Sequence, residues 1–391
     1  MNSSVAAPGP VTNANYKEVL SDLNILLTKS ERYWPADYGN YGPLFIRLAW
    51  HSAGTYRISD GRGGADGARQ RFEPELSWPD NANLDKARTL LQPIKKKYGR
   101  GLSWADLFIL AGNAAIENMG GPVLGFCGGR VDAADGSDST LLGPSKEQET
   151  LMPCEVNGQC ESPLGTSKVG LIYVNPEGPM GNPDPLASVV DIRIVFSRMA
   201  MNNSETVALI GGGHTLGKSH GGCPVKVADK PACGTGKSID TFTSGIELTW
   251  TTQPTYWDNE YFRNLVNWEF NLIKGKGKTS QWEPIARNGT KPTAISADGT
   301  FNQTIGMFTT DVALIKDEAY KNIVLKFAED KKTFDHAFAH AWYKLTTRDM
   351  GPVARCSNKD TPPPQERTNE EGLKTEYSMI LFAIQIVCKL F

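Results

Sequence analysis

Apolar and polar positions alternate along the chain mostly with the period of an α-helix. Segments with apolar residues every three or four positions include "NYKEVLSDLNILLTKS", "SWADLFILAGNAAIENMG" and "TTDVALIKDEAYKNIVLKFAED". Ser103 and Asp106 form a capping box, and Asn203 or Ser204 begins a helix that ends in three glycines. Strand-like alternation is rare and short. The pattern predicts a mainly α protein of about ten helices, with long loops at about residues 127–182 and 218–243.

Composition excludes some classes of function without changing this fold prediction. The 391 residues are 40% hydrophobic and 21% charged, with a formal net charge of -2, so nothing indicates nucleic-acid binding. The apolar C-terminal segment "YSMILFAIQIVCKLF" is too short to predict a membrane span. We divide the chain into an N-terminal segment with the first helix (1–39), a main domain (40–356), and a linker with an apolar tail (357–391).

Cysteine spacing bears on the cellular compartment. Cys154 and Cys160 flank one short polar loop, and Cys223 and Cys233 flank another, so each pair could form a disulfide. Two N-glycosylation sequons, N-G-T and N-Q-T, point the same way. Although the first residues contain no apolar signal-peptide segment, these features favour a secreted protein, with a cytoplasmic one as the alternative.

The segment "RLAWHSAGTYR" places Arg47, Trp50 and His51 on one face of a predicted helix. A cation, an indole and an imidazole suit neither an apolar core nor a solvated surface. They do suit peroxide cleavage, because His51 can take a proton from one oxygen and return it to the other. Arg47 would stabilise charge on the leaving oxygen, and Trp50 would form the floor of the pocket.

The segment "IGGGHTLGKSH" contains the second unusual histidine. Its glycines leave the backbone open at His214 to something large and flat, although a buried structural histidine is the common alternative. One histidine at a glycine-rich helix end, facing another beside an arginine, suits an iron porphyrin held between two helices.

Several long motifs occur in an order that resembles the haem-binding half of catalase-peroxidases, which are class I haem peroxidases. They include "RLAWHSAGTYR", "YVNPEGPMGNPDP", "DIRIVFSRMAMNNSETVALIGGGHTLGKSHG" and "WYKLTTRDMGPVAR". The resemblance runs from about residue 40 to 355 and implies the haem peroxidase fold, with haem b between a distal and a proximal helix. That family usually has a second, haem-free half, and the resemblance is to its single-domain, hybrid-type relatives.

On the proximal side, the resemblance implies that His214 ligates the iron. Asp311 would accept a hydrogen bond from the other ring nitrogen, which gives the imidazole anionic character. Trp250 would pack against this side, and Ser244 is a further residue expected to bind the cofactor.

On the distal side, the resemblance assigns roles to three residues around His51. Asn81 would hold His51 in the required tautomer, Asp80 would line the peroxide channel, and Glu177 would lie near its entrance.

The resemblance also implies a covalent Trp–Tyr–Met adduct that supports oxygen release. Trp50, Tyr173 and Met199 match its three members, and Arg348 matches the mobile arginine that pairs with the tyrosine. The alternative is that Tyr173 and Met199 are ordinary packing residues.

The sequence therefore predicts a haem-dependent peroxidase that detoxifies hydrogen peroxide, with catalase activity through the Trp50–Tyr173–Met199 adduct. Its partners would be hydrogen peroxide and an unidentified electron donor, and a homodimer is one possible assembly. The alternatives are a monofunctional class I peroxidase using cytochrome c or a small molecule, a haem-free scaffold, and a haem carrier. Ascorbate is disfavoured, because Cys223 stands where that subfamily has an arginine.

Overall fold

Helices dominate the computed structural model, which describes residues 14–142, 172, 174–220, 246–275 and 279–357. In these ranges the α-helices are α1 (Tyr16–Leu27), α2 (Gly42–Ala53), α3 (Leu84–Tyr98), α4 (Trp104–Asn118), α5 (Pro185–Arg198), α6 (Asn203–His214), α7 (Glu260–Asn267), α8 (Thr309–Ala313), α9 (Glu318–Glu329) and α10 (Lys331–Thr347). The predicted mainly α class with about ten helices is confirmed. No helix within the described ranges is long and apolar enough to cross a membrane.

The strands form two small antiparallel hairpins. β1 (Phe270–Lys274) pairs with β2 (Ser280–Pro284), and β3 (Thr293–Ile295) pairs with β4 (Asn302–Thr304). Both hairpins follow α7 and precede α8, so they fill the connection between two helices of the proximal side.

Side-chain caps determine where several helices begin. Ser103 accepts a hydrogen bond from the Asp106 N–H at 3.0 Å and starts α4, but the Asp106 carboxylate binds other segments, so only half of the predicted capping box forms. Of the two predicted starts of α6, Asn203 or Ser204, the first is confirmed. Asn202 is the cap, and it exchanges hydrogen bonds of 2.9 Å with Glu205.

The core is built around α4, whose residues are buried on nearly every side. α2 packs directly on α4, and the two helices approach closely because Gly112 has no side chain: a Cβ there would lie 2.6 Å from the Cβ of Ala49. α6 packs against α10 and also contacts α2. The packing thus brings together the two helices that carry the unusual histidines.

The three glycines before His214 lie inside α6 and have different surroundings. A Cβ at Gly211 would lie 2.1 Å from the ring of Phe262, and one at Gly212 would lie 2.2 Å from the ring of Phe338. At Gly213, by contrast, no heavy atom of the described residues would lie within 4 Å. Two glycines therefore admit aromatic rings of α7 and α10, and the interpretation of an open approach applies to Gly213 alone.

A disulfide joins Cys127, in the loop after α4, to Cys356, after α10. The two cysteines are 229 positions apart in the sequence. The pairs predicted from short loop spacing lie outside the described residues, so they stay predictions.

Candidate active site

Helix α2 presents Arg47, Trp50 and His51 as the sequence predicts, with its other face against α4. Pro43 lies in the first turn, where a missing N–H costs nothing, and the helix ends before Gly54. The Arg47 guanidinium donates hydrogen bonds to two backbone carbonyls, those of Ala82 at 2.8 Å and Asp80 at 2.6 Å. The arginine is thereby held against the segment that also carries Asn81.

The imidazole of His51 is oriented by Asn81. The Nδ1 of His51 lies 2.9 Å from the Oδ1 of Asn81, and the Asn81 Nδ2 donates to the backbone carbonyl of Glu75 at 2.8 Å. Because the Glu75 carbonyl can only accept, it fixes the amide with its oxygen towards His51. Nδ1 of His51 must then carry the proton, which leaves the lone pair on Nε2.

Burial shifts the pKa values of His51 and Asp80 in opposite directions. Burial, followed by the charge of Arg47, lowers the pKa of His51 well below 6.5, while the hydrogen bond to Asn81 acts in the opposite direction. Burial raises the pKa of Asp80 to about 6, against the influence of Arg47. The Asp80 carboxylate lies 3.9 Å from the His51 Nδ1.

On the other side, His214 is the last residue of α6 and is oriented by Asp311 of α8. Its Nδ1 lies 2.7 Å from the Asp311 Oδ1, and Asp311 is fully buried. Trp250 stacks on the imidazole with ring centroids 4.2 Å apart and planes 11° apart, and its indole N–H donates to Asp311 Oδ2 at 2.8 Å. The structure therefore brings together three residues that were predicted for the proximal side.

Comparison with known proteins agrees with this arrangement of two oriented histidines. The family model described as "Peroxidase" matches residues 27–330. The chain belongs to the peroxidase family. This peroxidase is 51% identical over 362 residues to catalase-peroxidase 1 of Haloarcula marismortui, covering 88% of the chain and 50% of the relative. It is 49% identical over 375 residues to the catalase-peroxidase of Escherichia coli, covering 92% of the chain and 50% of the relative.

The resemblance indicated by the sequence motifs is thus confirmed. The chain spans about half the length of the curated relatives it matches.

The residues of this peroxidase fit a haem between α2 and α6. Each histidine uses Nδ1 for its partner in the protein, and neither Nε2 makes a hydrogen bond to any residue that the structure describes. The His214 side chain is 26% exposed, whereas its partner Asp311 is fully buried. The accessible part of this pair is therefore the imidazole. A neutral imidazole nitrogen in an open position is the donor that haem iron uses in peroxidases.

The predicted adduct residues are partly described. Trp50 stacks on Phe196 of α5, with ring centroids 5.6 Å apart. One turn after Trp50, a Cβ on Gly54 would lie 2.8 Å from Ile172 Cγ2 and 3.4 Å from Met199 Sδ. Met199 and the residue before Tyr173 therefore both lie beside the end of α2. Tyr173 itself, like Ser244, is outside the described residues.

Two further predicted residues make contacts of their own. Arg348 donates a long hydrogen bond of 3.4 Å to the carbonyl of Ala200, the residue after Met199, and lies over the ring of Tyr56. Glu177 accepts a hydrogen bond from the Ser280 N–H at 2.6 Å and so connects its loop to β2.

Sequence reasoning missed Tyr261, a fully buried residue of α7. Its hydroxyl donates to the Asp311 Oδ1 at 2.7 Å, the same oxygen that faces His214. The available signal was weak: a tyrosine on the apolar face of a predicted helix needs a hydrogen-bond partner when buried, but the sequence does not say which.

Proposed function

We propose that this chain is a haem b peroxidase that reduces hydrogen peroxide to water with two electrons from a donor. The observation that carries the proposal is the pair of histidines on contacting helices, each with Nδ1 bound to a side-chain oxygen and Nε2 without a hydrogen bond to any described residue. When bound, haem would supply the iron that binds peroxide and that accepts the electrons of the donor.

The distal residues would move protons during peroxide cleavage. His51 Nε2 takes the proton of the oxygen that stays, and returns it to the oxygen that leaves as water. Asn81 keeps the other proton on Nδ1, so that one nitrogen serves both steps. The charge that develops on the leaving oxygen is stabilised by guanidinium N–H groups of Arg47 beyond the two bound to backbone carbonyls.

The proximal residues would determine the character of the ligand. Asp311 accepts from Nδ1 of His214 at 2.7 Å, which orients Nε2 and increases its electron donation. A haem-free scaffold would need neither this arrangement nor the Arg47–His51 pair, so the contacts favour a catalyst.

The ligand assignment is tested by haem binding. We expect His214→Ala to lose most of its haem while its far-ultraviolet circular dichroism stays that of the wild type, because the core consists mainly of apolar packing. His336→Ala, which changes an exposed histidine of α10, is the matched control and should keep its haem. Stoichiometric haem with an unchanged visible spectrum in His214→Ala would contradict the assignment.

We further propose catalase activity through a Trp50–Tyr173–Met199 adduct that forms with peroxide as the oxidant. The position of Met199 and Ile172 beside Gly54, one turn after Trp50, supports this proposal, as does the hydrogen bond of Arg348 to Ala200. The alternative is a monofunctional peroxidase whose Tyr173 only packs.

Tyr173→Phe separates the two activities. Oxygen evolution from peroxide should be abolished, while peroxidase turnover with a generic donor should survive, because it needs only Arg47, His51 and the proximal residues. Peptide mapping of the wild type after peroxide treatment should show the three segments joined. Separate peptides, or wild-type oxygen evolution in Tyr173→Phe, would leave the monofunctional peroxidase as the function.

The Cys127–Cys356 disulfide supports a secreted location, since such bonds persist in oxidising compartments. The electron donor and a homodimeric assembly stay predictions.

A further inference from the structure

The Asp311 carboxylate receives four hydrogen bonds, two on each oxygen. Oδ2 accepts from the Trp250 indole at 2.8 Å and from the Phe308 backbone N–H at 2.7 Å. Oδ1 accepts from His214 Nδ1 and from the Tyr261 hydroxyl, both at 2.7 Å. The phenol and the imidazole therefore share one oxygen atom.

We infer that Tyr261 is a positioning residue that limits the anionic character of His214 and so raises the reduction potential of the iron. The inference rests on the proposed function, because it concerns the same histidine as the iron ligand. Tyr261 acts through Asp311 and touches neither the iron nor peroxide.

The physical reason is competition for the negative charge on one oxygen. A carboxylate oxygen offers about two lone-pair sites, and each charge-assisted donor withdraws electron density from it. With the phenol in place, Oδ1 attracts the His214 proton less strongly than a carboxylate without that donor would. The imidazole keeps more of its proton and donates fewer electrons to iron, which favours Fe(II) relative to Fe(III).

The phenol is a permanent donor. Tyr261 is fully buried on α7, and its ring meets the His214 ring edge-on with centroids 5.8 Å apart. The only acceptor of its hydroxyl among the described residues is Asp311. Because a carboxylate oxygen can only accept, the phenol must be the donor in this hydrogen bond.

Tyr261→Phe tests the inference, because it removes the donor and keeps the ring. In the haem-loaded protein we expect the Fe(III)/Fe(II) equilibrium constant to shift about tenfold towards Fe(III), the order of magnitude by which loss of a metal ligand's hydrogen-bond partner changes metal affinity or activity. For a one-electron couple this is a fall of about 59 mV in midpoint potential, measurable by spectroelectrochemistry. The Fe–His stretching frequency of the ferrous protein should rise in the resonance Raman spectrum.

A matched control and an opposite perturbation complete the test. Tyr16→Phe removes another tyrosine-to-aspartate hydrogen bond, 2.8 Å long and directed to Asp106, and should leave the potential unchanged. Incorporation of 3-fluorotyrosine at position 261 strengthens the phenol as a donor and should shift the potential upwards. If Tyr261→Phe does not retain haem, the reduction potential of the 3-fluorotyrosine variant tests the role of Tyr261.

The outcomes separate this inference from the proposed function. A wild-type chain that binds no histidine-ligated haem would overturn both. A normal haem protein in which Tyr261→Phe shifts the equilibrium less than twofold, or towards Fe(II), would overturn the role of Tyr261 alone. An unchanged or lowered potential in the 3-fluorotyrosine variant would do the same.

Discussion

Replacing Asn81 with leucine would show how much of peroxide cleavage depends on the orientation of His51. Leucine has the same number and branching of side-chain heavy atoms as asparagine but cannot accept the hydrogen bond from His51 Nδ1, which is 2.9 Å long in the structure. His51 is only 6% exposed, so water cannot readily replace the lost partner. Among the influences on the pKa of His51, the bond to Asn81 raises it, whereas burial and Arg47 lower it. The variant should therefore have a weaker base.

The size of the effect follows from the charge that His51 gains as it takes the proton. A hydrogen bond to a charged group is worth about 1.5–3 kcal/mol, and each factor of ten in rate corresponds to about 1.4 kcal/mol. We therefore expect Asn81→Leu to react with peroxide about 10- to 100-fold more slowly than the wild type.

Stopped-flow absorbance of the Soret band, followed after mixing the haem-loaded protein with peroxide, measures this rate directly. Asn113→Leu is the matched control, because Asn113 is a buried asparagine of α4 whose Oδ1 accepts from the Trp342 indole at 2.7 Å. It should lose stability without losing the rate. A rate in Asn81→Leu within twofold of the wild type would refute the argument.

Three further predictions concern stability and can be checked by unfolding experiments. Burial raises the pKa of Asp80 to about 6, so the folded chain binds this proton more tightly than the unfolded chain and loses stability as pH rises from about 4 to 6. Asp80→Asn should therefore be more stable than the wild type at pH 7.5, by on the order of 3 kcal/mol, and equally stable below pH 4; equal urea midpoints at pH 7.5 would contradict this. Gly212→Ala should lower the free energy of unfolding by about 1–3 kcal/mol through overpacking, whereas Gly213→Ala, with open space at its Cβ, should not; equal calorimetric melting temperatures for the two variants would be evidence against this packing. Replacing Cys127 and Cys356 together with serine should cost about 3–5 kcal/mol, because the bond closes a long loop; two free thiols in the non-reduced wild type, seen by mass spectrometry, would remove the basis of this prediction.

Local geometry explains which parts of the site could be predicted from residues alone. Arg47, Trp50 and His51 are three and four positions apart, so any helix at this segment places them on one face. His214 stood out because of the glycines before it, although two of these glycines serve packing against aromatic rings. The start of α6 at Asn203 was among the predicted positions, because Asn202 caps the helix through local hydrogen bonds with Glu205.

Contacts between distant segments could not be derived in this way. Asp311 was paired with His214 through a family resemblance, because 97 positions separate the two residues. Tyr261 has no motif of its own, and its hydrogen bond to Asp311 depends on how α7 packs against α8. The Cys127–Cys356 bond escaped a search for short loops because the cysteines are 229 positions apart.

The central claim is that His51 is the acid–base catalyst of peroxide cleavage, and its most direct test is the stopped-flow rate of His51→Leu. General acid–base catalysis is typically worth about 10²–10⁴-fold, so the haem-loaded variant should react with peroxide slower by that factor. Its visible spectrum before mixing should still be that of a haem held by His214. A near-wild-type rate in a variant with intact haem would contradict the claim.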